Sequence, residues 1–304
     1  MQGAKCRVAD GEGPPLTQPT FAVDQHRYSH PTLSLTFTSA VRATQGARRY
    51  QEDTCLLWPG EVVTGLDEAP PLPDGHLLAV LGDGMGGHVG GAMASSVACT
   101  SFTRAFAGGF VANAHGLMQR LVTNLEAANS ALAQKTYEQP MYQGMGTTLV
   151  AAYFAPHELG SGLSWVSVGD SLLYLWRRNE LARLNEDHSL APELDKMVEA
   201  GTLSEQEANA DPRRHFLRSA LTGHDIEMID VTPRPLPLAE GDVVIVASDG
   251  LHTLDEDEIT RIVDQFRPEG VDRIAKGLID AVMARRRPHQ DNTTVIVTAV
   301  GADA

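Results

Sequence analysis

Leu33, Leu35 and Phe37 alternate with polar residues across 32–38, a period of two that predicts a half-buried strand. Strand signal returns at 54–58 and 76–81. Between them, 59–75 carries four prolines and several acids, which predicts a long loop rather than a central strand. The glycine-rich 82–91 then gives way to 92–106, rich in Ala and small residues, and to 114–137, where apolar residues recur at helical spacing; two helices are predicted there. β-Branched and apolar runs predict strands at 147–154, 163–168, 172–177, 181–184 and 243–247, with Arg178-Asn179 turning the third into the fourth. Helices over 255–266 and 271–286 precede a last strand at 293–300. Clustered strands with paired helices point to an α+β chain and not to a regular βαβ alternation.

Residues 1–30 show no sustained period and are read as a mobile N-terminal tail, leaving 31–304 as a single catalytic unit. Within it, the polar, helix-prone stretch at 189–223 is an excursion from the sheets, of the sort that often forms a lid or binding loop. The 42% hydrophobic and 21% charged fractions are those of a globular protein. A net charge of −15 argues against nucleic acid or an anionic membrane as partner, and leaves acids to spare for cations. Cys6, Cys55 and Cys99 are odd in number and widely spaced, which suits a reducing compartment. With no signal-like N-terminus and no apolar run long enough to span a bilayer, a cytoplasmic location is expected.

Three apolar runs end alike, in Gly-Asp83-Gly, Gly-Asp170-Ser and Ser-Asp249-Gly, and Asp291 stands just before the final strand. A single Asp-Gly at a strand end is ordinarily a turn. Four acids in equivalent places are a different matter: if the strands lie side by side the carboxylates converge, and they ionise together only when cations or protons compensate. Oxygen ligands of this kind select Mg²⁺ or Mn²⁺. Arg48 and Arg49, followed by Glu52 and Asp53, would add a guanidinium fork for phosphate oxygens and further acids for the metals. Gly82–Gly87 also fits the dinucleotide fingerprint G-x-G-x-x-G. However, no Asp or Glu lies between His88 and Leu125 to hold a ribose, and Asp83 would put a charge where pyrophosphate sits.

Taken in order, Arg-Arg-Tyr-Gln-Glu-Asp at 48–53, Gly-Asp-Gly-Met-Gly-Gly-His at 82–88, Gly-Met-Gly-Thr-Thr at 144–148, Val-Gly-Asp-Ser at 168–171, Ala-Ser-Asp-Gly at 247–250 and Asp291-Asn292 resemble the type-2C, metal-dependent serine/threonine protein phosphatases, bacterial branch. The stretch at 198–223 is similar to the flap beside the active site of bacterial members. The resemblance implies a four-layer αββα sandwich, two antiparallel sheets flanked by helix pairs. It also implies two Mn²⁺ or Mg²⁺ ions, with a third, weaker one. Asp83 would bridge two metals, Asp249 and Asp291 would complete one site, and Glu52 and the Gly84 carbonyl would serve the other. Asp53 would support through water, Asp170 would help hold the third ion with Asp249, Arg48 would grip the phosphate, and Asn292 would orient Asp291.

The implied chemistry is direct attack on phosphorus by a metal-bridging water. The expected substrate is a phosphoserine or phosphothreonine protein, plausibly a kinase or its targets. Many relatives carry His directly after Asp-Gly; here Met85 stands there and the nearest His is His88, so His88, a metal-bound water or another group is left as general acid. Leu172 likewise replaces a common Arg. Two other readings are a catalytically silent module on the same fold and a hydrolase of small phosphorylated metabolites.

Overall fold

Val-Val-Ile-Val-Ala at Val243–Ala247 is buried at every position. A strand apolar on both faces must be covered on both, and the architecture supplies that cover throughout. The computed structural model describes residues 34–60, 72–86, 89–109, 114–156 and 162–302. Its strands are β1 (Leu35–Thr44), β2 (Asp53–Trp58), β3 (Leu77–Met85), β4 (Gly146–Thr147), β5 (Leu149–Ala155), β6 (Gly162–Val168), β7 (Leu172–Arg177), β8 (Glu180–Arg183), β9 (Asp230–Val231), β10 (Val243–Ala247) and β11 (Thr293–Ala302). They form two sheets, β1-β11-β10-β7-β8 and β2-β3-β5-β6-β9, with β4 paired to β3. Every pairing in them is antiparallel.

Helices α1 (Val89–Ala107) and α2 (Ala114–Glu138) cover the outer face of the second sheet, where Phe102, Phe106, Leu121 and Leu125 pack with Leu78, Val80 and Ala151. The excursion at 189–223 holds α3 (Ala191–Glu199) and α4 (Glu205–Ala210), and α5 (Glu256–Phe266) and α6 (Val271–Ala284) cover the first sheet. There Ile259, Val263, Ile274 and Leu278 pack with Val243, Ile245 and Val297. Alternate residues such as Val244 and Val246 turn inward, and Phe37 of β1 meets Phe154 of β5 between the sheets at 5.3 Å. Each such side chain contributes about 1.5–3 kcal/mol by leaving water. The result is the αββα sandwich.

Helix starts follow the expected chemistry. Ser204 caps α4 and Asp255 caps α5, each in a reciprocal box with the Glu three residues on. Arg178 and Asn179 turn β7 into β8 with φ of 53° and 66°, a conformation Asn tolerates well. Several boundaries move. The first strand runs to Thr44, because all ten of its residues pair with β11. β3 continues through Gly82-Asp83-Gly84-Met85, so Asp83 lies within a strand and not beyond its end. The strand expected at 147–154 is broken at Thr148, and β9 is too short to show a period. The antiparallel neighbours of β3 also dispose of the dinucleotide reading, which needs a βαβ unit. The expected tail at 1–30 and His88 lie outside the described residues, as does most of the predicted loop at 59–75.

Candidate active site

Asp83 is held from its backbone. Its N–H donates to Thr148 Oγ1 at 2.9 Å, and its carbonyl accepts from Thr148 N and Thr147 Oγ1, both at 2.9 Å. The break between β4 and β5 is what turns these two threonines to that task. Thr148 Oγ1 also lies 2.7 Å from Ser171 Oγ, next to Asp170. The turn before Asp170 needs Gly169, at φ +102°, where a Cβ would lie 2.5 Å from Thr148 Cγ2. Buried His188 clasps the same turn: its Nδ1 accepts from Gly169 N at 3.2 Å and its own N–H donates to Gly169 O. Burial lowers the pKa of His188, which suits this neutral acceptor role.

Asp53 pairs across from Asp83 in the β2–β3 register. Its Oδ2 accepts from Ser248 Oγ at 2.8 Å and Thr294 Oγ1 at 2.7 Å, so it ties one sheet to the other. Asp249 opens a 3-10 turn directly after β10. Asp291 accepts from Arg48 and, through Oδ1, from the N–H of Asn292 at 2.8 Å. The Asn292 side chain does different work: it accepts from Glu52 N at 2.8 Å and donates to the carbonyls of Gln45 and Tyr50. It therefore staples the 45–52 loop to the site.

A cleft of about 710 Å³ is lined by Arg48, Glu52, Asp83, Gly84, Asp170, Asp249 and Asp291 together, with Met85, Thr148 and Asn292 beside them. Asp53 stands behind this wall, 9% exposed. Residues 215–220 of the excursion close one side. Its base is pinned by the Ser189–Leu217 bridge and by Arg218 N donating to His188 O. His215 and Phe216 lacked any signal in the sequence, since neither belongs to a motif tied to an apolar run.

Burial raises the pKa of all four buried acids, and their neighbours raise it further. Asp53 is pushed up to about 6, and Asp170 up to about 7 with Asp249 as its main repelling partner. Asp83 is held well above the usual carboxylate range by burial and then by Asp249, Asp53, Asp170 and Asp291. Asp249 is raised by burial and by Asp291, and a hydrogen bond with Asp83 partly offsets this. Burial and mutual repulsion thus disfavour full ionisation of the cluster, and Arg48 offsets part of it at Asp249.

Divalent cations would fit the same place. Oδ1 of Asp53 and Oδ1 of Asp249 are buried without a hydrogen-bond partner. A Cβ built on Gly91 would lie 2.5 Å from Glu52 Oε1 and 2.8 Å from the Gly84 carbonyl, so these two oxygens converge on a space only glycine leaves open. The donors are all oxygen, the preference of hard ions. Among the described residues no three such side chains already form a cage; Arg48 is paired with Asp291.

Residues 70–284 match the family described as Protein phosphatase 2C. Over 229 residues the chain is 34% identical to the serine/threonine protein phosphatase PstP of Mycobacterium tuberculosis, a match spanning 74% of this chain and 41% of that protein. The chain thus spans less than half the length of that relative. The serine/threonine phosphatase stp of Listeria monocytogenes is 29% identical over 238 residues, 76% of this chain and 89% of its own length. Among solved structures, the catalytic domain of PstP in complex with two manganese ions superposes with a TM-score of 0.66 at 28% identity, covering 88% of this chain and all of that one. A match across most of the chain, on a sandwich that gathers widely separated acids into one cleft, places this protein in the protein phosphatase 2C family.

Proposed function

We propose that this protein is a metal-dependent phosphatase of phosphoserine and phosphothreonine proteins, with 31–304 as its catalytic unit and 189–223 as its flap. The observation that carries this reading is the single cleft in which Arg48 faces Glu52, Asp83, Gly84, Asp170, Asp249 and Asp291. Asp83, Asp249 and Asp291 would hold one Mn²⁺ or Mg²⁺, and Asp83, Glu52 and the Gly84 carbonyl a second. Asp170 with Asp249 would serve a third, and Asp53 would support from behind. Bound there, the ions acidify water and offset charge on the phosphoryl oxygens.

The chain's own groups do the rest. Arg48 is exposed and anchored on Asp291, so its remaining N–H groups can take two phosphoryl oxygens and fix the ester for in-line displacement. Thr147 and Thr148 keep Asp83 from following the incoming charge. His215 lines the cleft and can donate to the leaving alkoxide; His88, the candidate from sequence, lies outside the described residues. A signalling role opposite a serine/threonine kinase fits the substrate class, and the free thiols Cys55 and Cys99 fit a reducing, cytoplasmic setting.

The test is hydrolysis of a phosphothreonine peptide beside a phosphotyrosine peptide, with stripped protein and with added Mn²⁺ or Mg²⁺. Metal-dependent release from phosphothreonine, abolished in Asp249→Asn, is expected. Folded protein that binds the peptide yet releases nothing under any metal would instead make the chain a silent binding module.

A further inference from the structure

The cleft does not end at its acids. Asp225 lines both it and a second groove of about 690 Å³, whose other wall is α2, with Ser130, Ala133, Gln134 and Tyr137. This groove is preformed. Asn129, 9% exposed, accepts from the N–H groups of Thr222 and Gly223 at 3.1 and 2.8 Å and donates to the carbonyl of His224 at 2.6 Å. Gly223, at φ +81°, lets the loop lie against α2, where a Cβ would come within 2.8 Å of the Ala133 backbone. At the far end Tyr137 presents its ring to solvent, 83% exposed.

Charge around the junction is one-sided. The flap arginines are engaged within the flap, Arg213 with Asp211, Arg214 with Asp195 and Arg218 with Glu193. Arg48 is engaged by Asp291. Asp225 and Glu227 both line the cleft and are exposed, and among the described residues neither forms an ion pair. A peptide leaving the catalytic cleft in this direction therefore meets two uncompensated carboxylates and then an aromatic ring.

We infer that this groove seats the polypeptide flanking the phosphorylated residue, and that Asp225 and Glu227 select substrates with a Lys or Arg there, its neighbour resting on Tyr137. The inference rests on the phosphatase reading above. One exposed ion pair changes affinity about 1.4- to 5-fold. Two give a preference of about 2- to 25-fold, carried mainly in KM.

The test compares phosphothreonine peptides of equal length with basic or acidic flanks, as substrates and, bearing a non-hydrolysable phosphonate, in binding by fluorescence anisotropy. The wild-type protein is expected to favour the basic flank about 2- to 25-fold. Asp225→Lys with Glu227→Lys should invert that order, an outcome that structural damage would not produce. Ser130→Trp, filling the groove, should weaken long peptides of either charge while sparing a three-residue phosphopeptide. Basic and acidic peptides that the wild type does not distinguish, or an order that survives the reversal, would overturn the inference. Turnover without charge order would sink the groove and leave the phosphatase. Charge order in binding without any turnover would do the reverse.

Discussion

Asp249 shows how one carboxylate can work against stability and, on the proposed reading, for chemistry. Burial and Asp291 both disfavour its charge, and it holds its place by sharing a hydrogen bond with Asp83. Asn keeps the shape and can donate that bond without borrowing a proton. Asp249→Asn is therefore expected to raise the Tm of metal-free protein at pH 7.5 by about 2–6 °C. Mn²⁺-supported turnover should fall at least about 100-fold. A lower metal-free Tm, measured calorimetrically in chelator, would show that the acid is structural. The sequence made Asp83, Asp170 and Asp249 visible because each ends an apolar run, and Asp291 because it stands just before one. It did not make His188 or Asn129 visible, since a single buried polar residue that clasps a turn leaves no periodic trace.

At the level of elements, the meeting of β3 with the start of α1 decides whether Glu52 and Gly84 can share an ion. Gly91→Ala would put a methyl 2.5 Å from Glu52 Oε1 and 2.8 Å from the Gly84 carbonyl. The expected result is a fold that survives while the protein titrates one Mn²⁺ in place of two by calorimetry, with turnover reduced at least about 10-fold. Two ions bound with ordinary affinity would mean that the helix yields and that these oxygens are not a pair. Most strands were legible, because buried strands leave long apolar runs such as Leu77–Leu81 and Val243–Ala247, whereas the two residues of β9 leave none. Their ends were less so. Gly82-Asp83-Gly84 carries loop composition, yet β2 and β4 pair with it as strand, tertiary pairing overriding local preference. The two threonines that break β5 look in sequence like good strand formers, and only the contact with Asp83 explains the break.

For the whole molecule, the buried acids make stability depend on pH in an unusual direction. Asp53 and Asp170 rise to about 6 and about 7 in the folded chain from 3.8 when unfolded, so between about pH 4 and 7 the native state holds more protons. The stability that these two acids contribute is then greatest below that window and is lost as pH climbs through it, while buried His252, lowered to about 4, contributes in the opposite sense between about pH 4 and 6.5. Divalent cations replace the protons, so the rise in Tm on adding Mn²⁺ should grow from pH 5 to pH 8. A Mn²⁺-induced rise in Tm that does not change between pH 5 and pH 8 would contradict the cluster's electrostatics. The site also draws on residues far apart in sequence, from Arg48 to Asp291. β1 pairs along its whole length with β11, and Asp291 directly precedes β11. A ribosome delivers strands in order, and a domain settles once its elements are out. While Asp291 and β11 are still in the exit tunnel, β1 has no partner and Arg48 no anchor, although Asp83, Asp170 and Asp249 have already emerged. On the phosphatase reading, the cleft therefore acquires its chemistry only after β11 has emerged and closed the sheet.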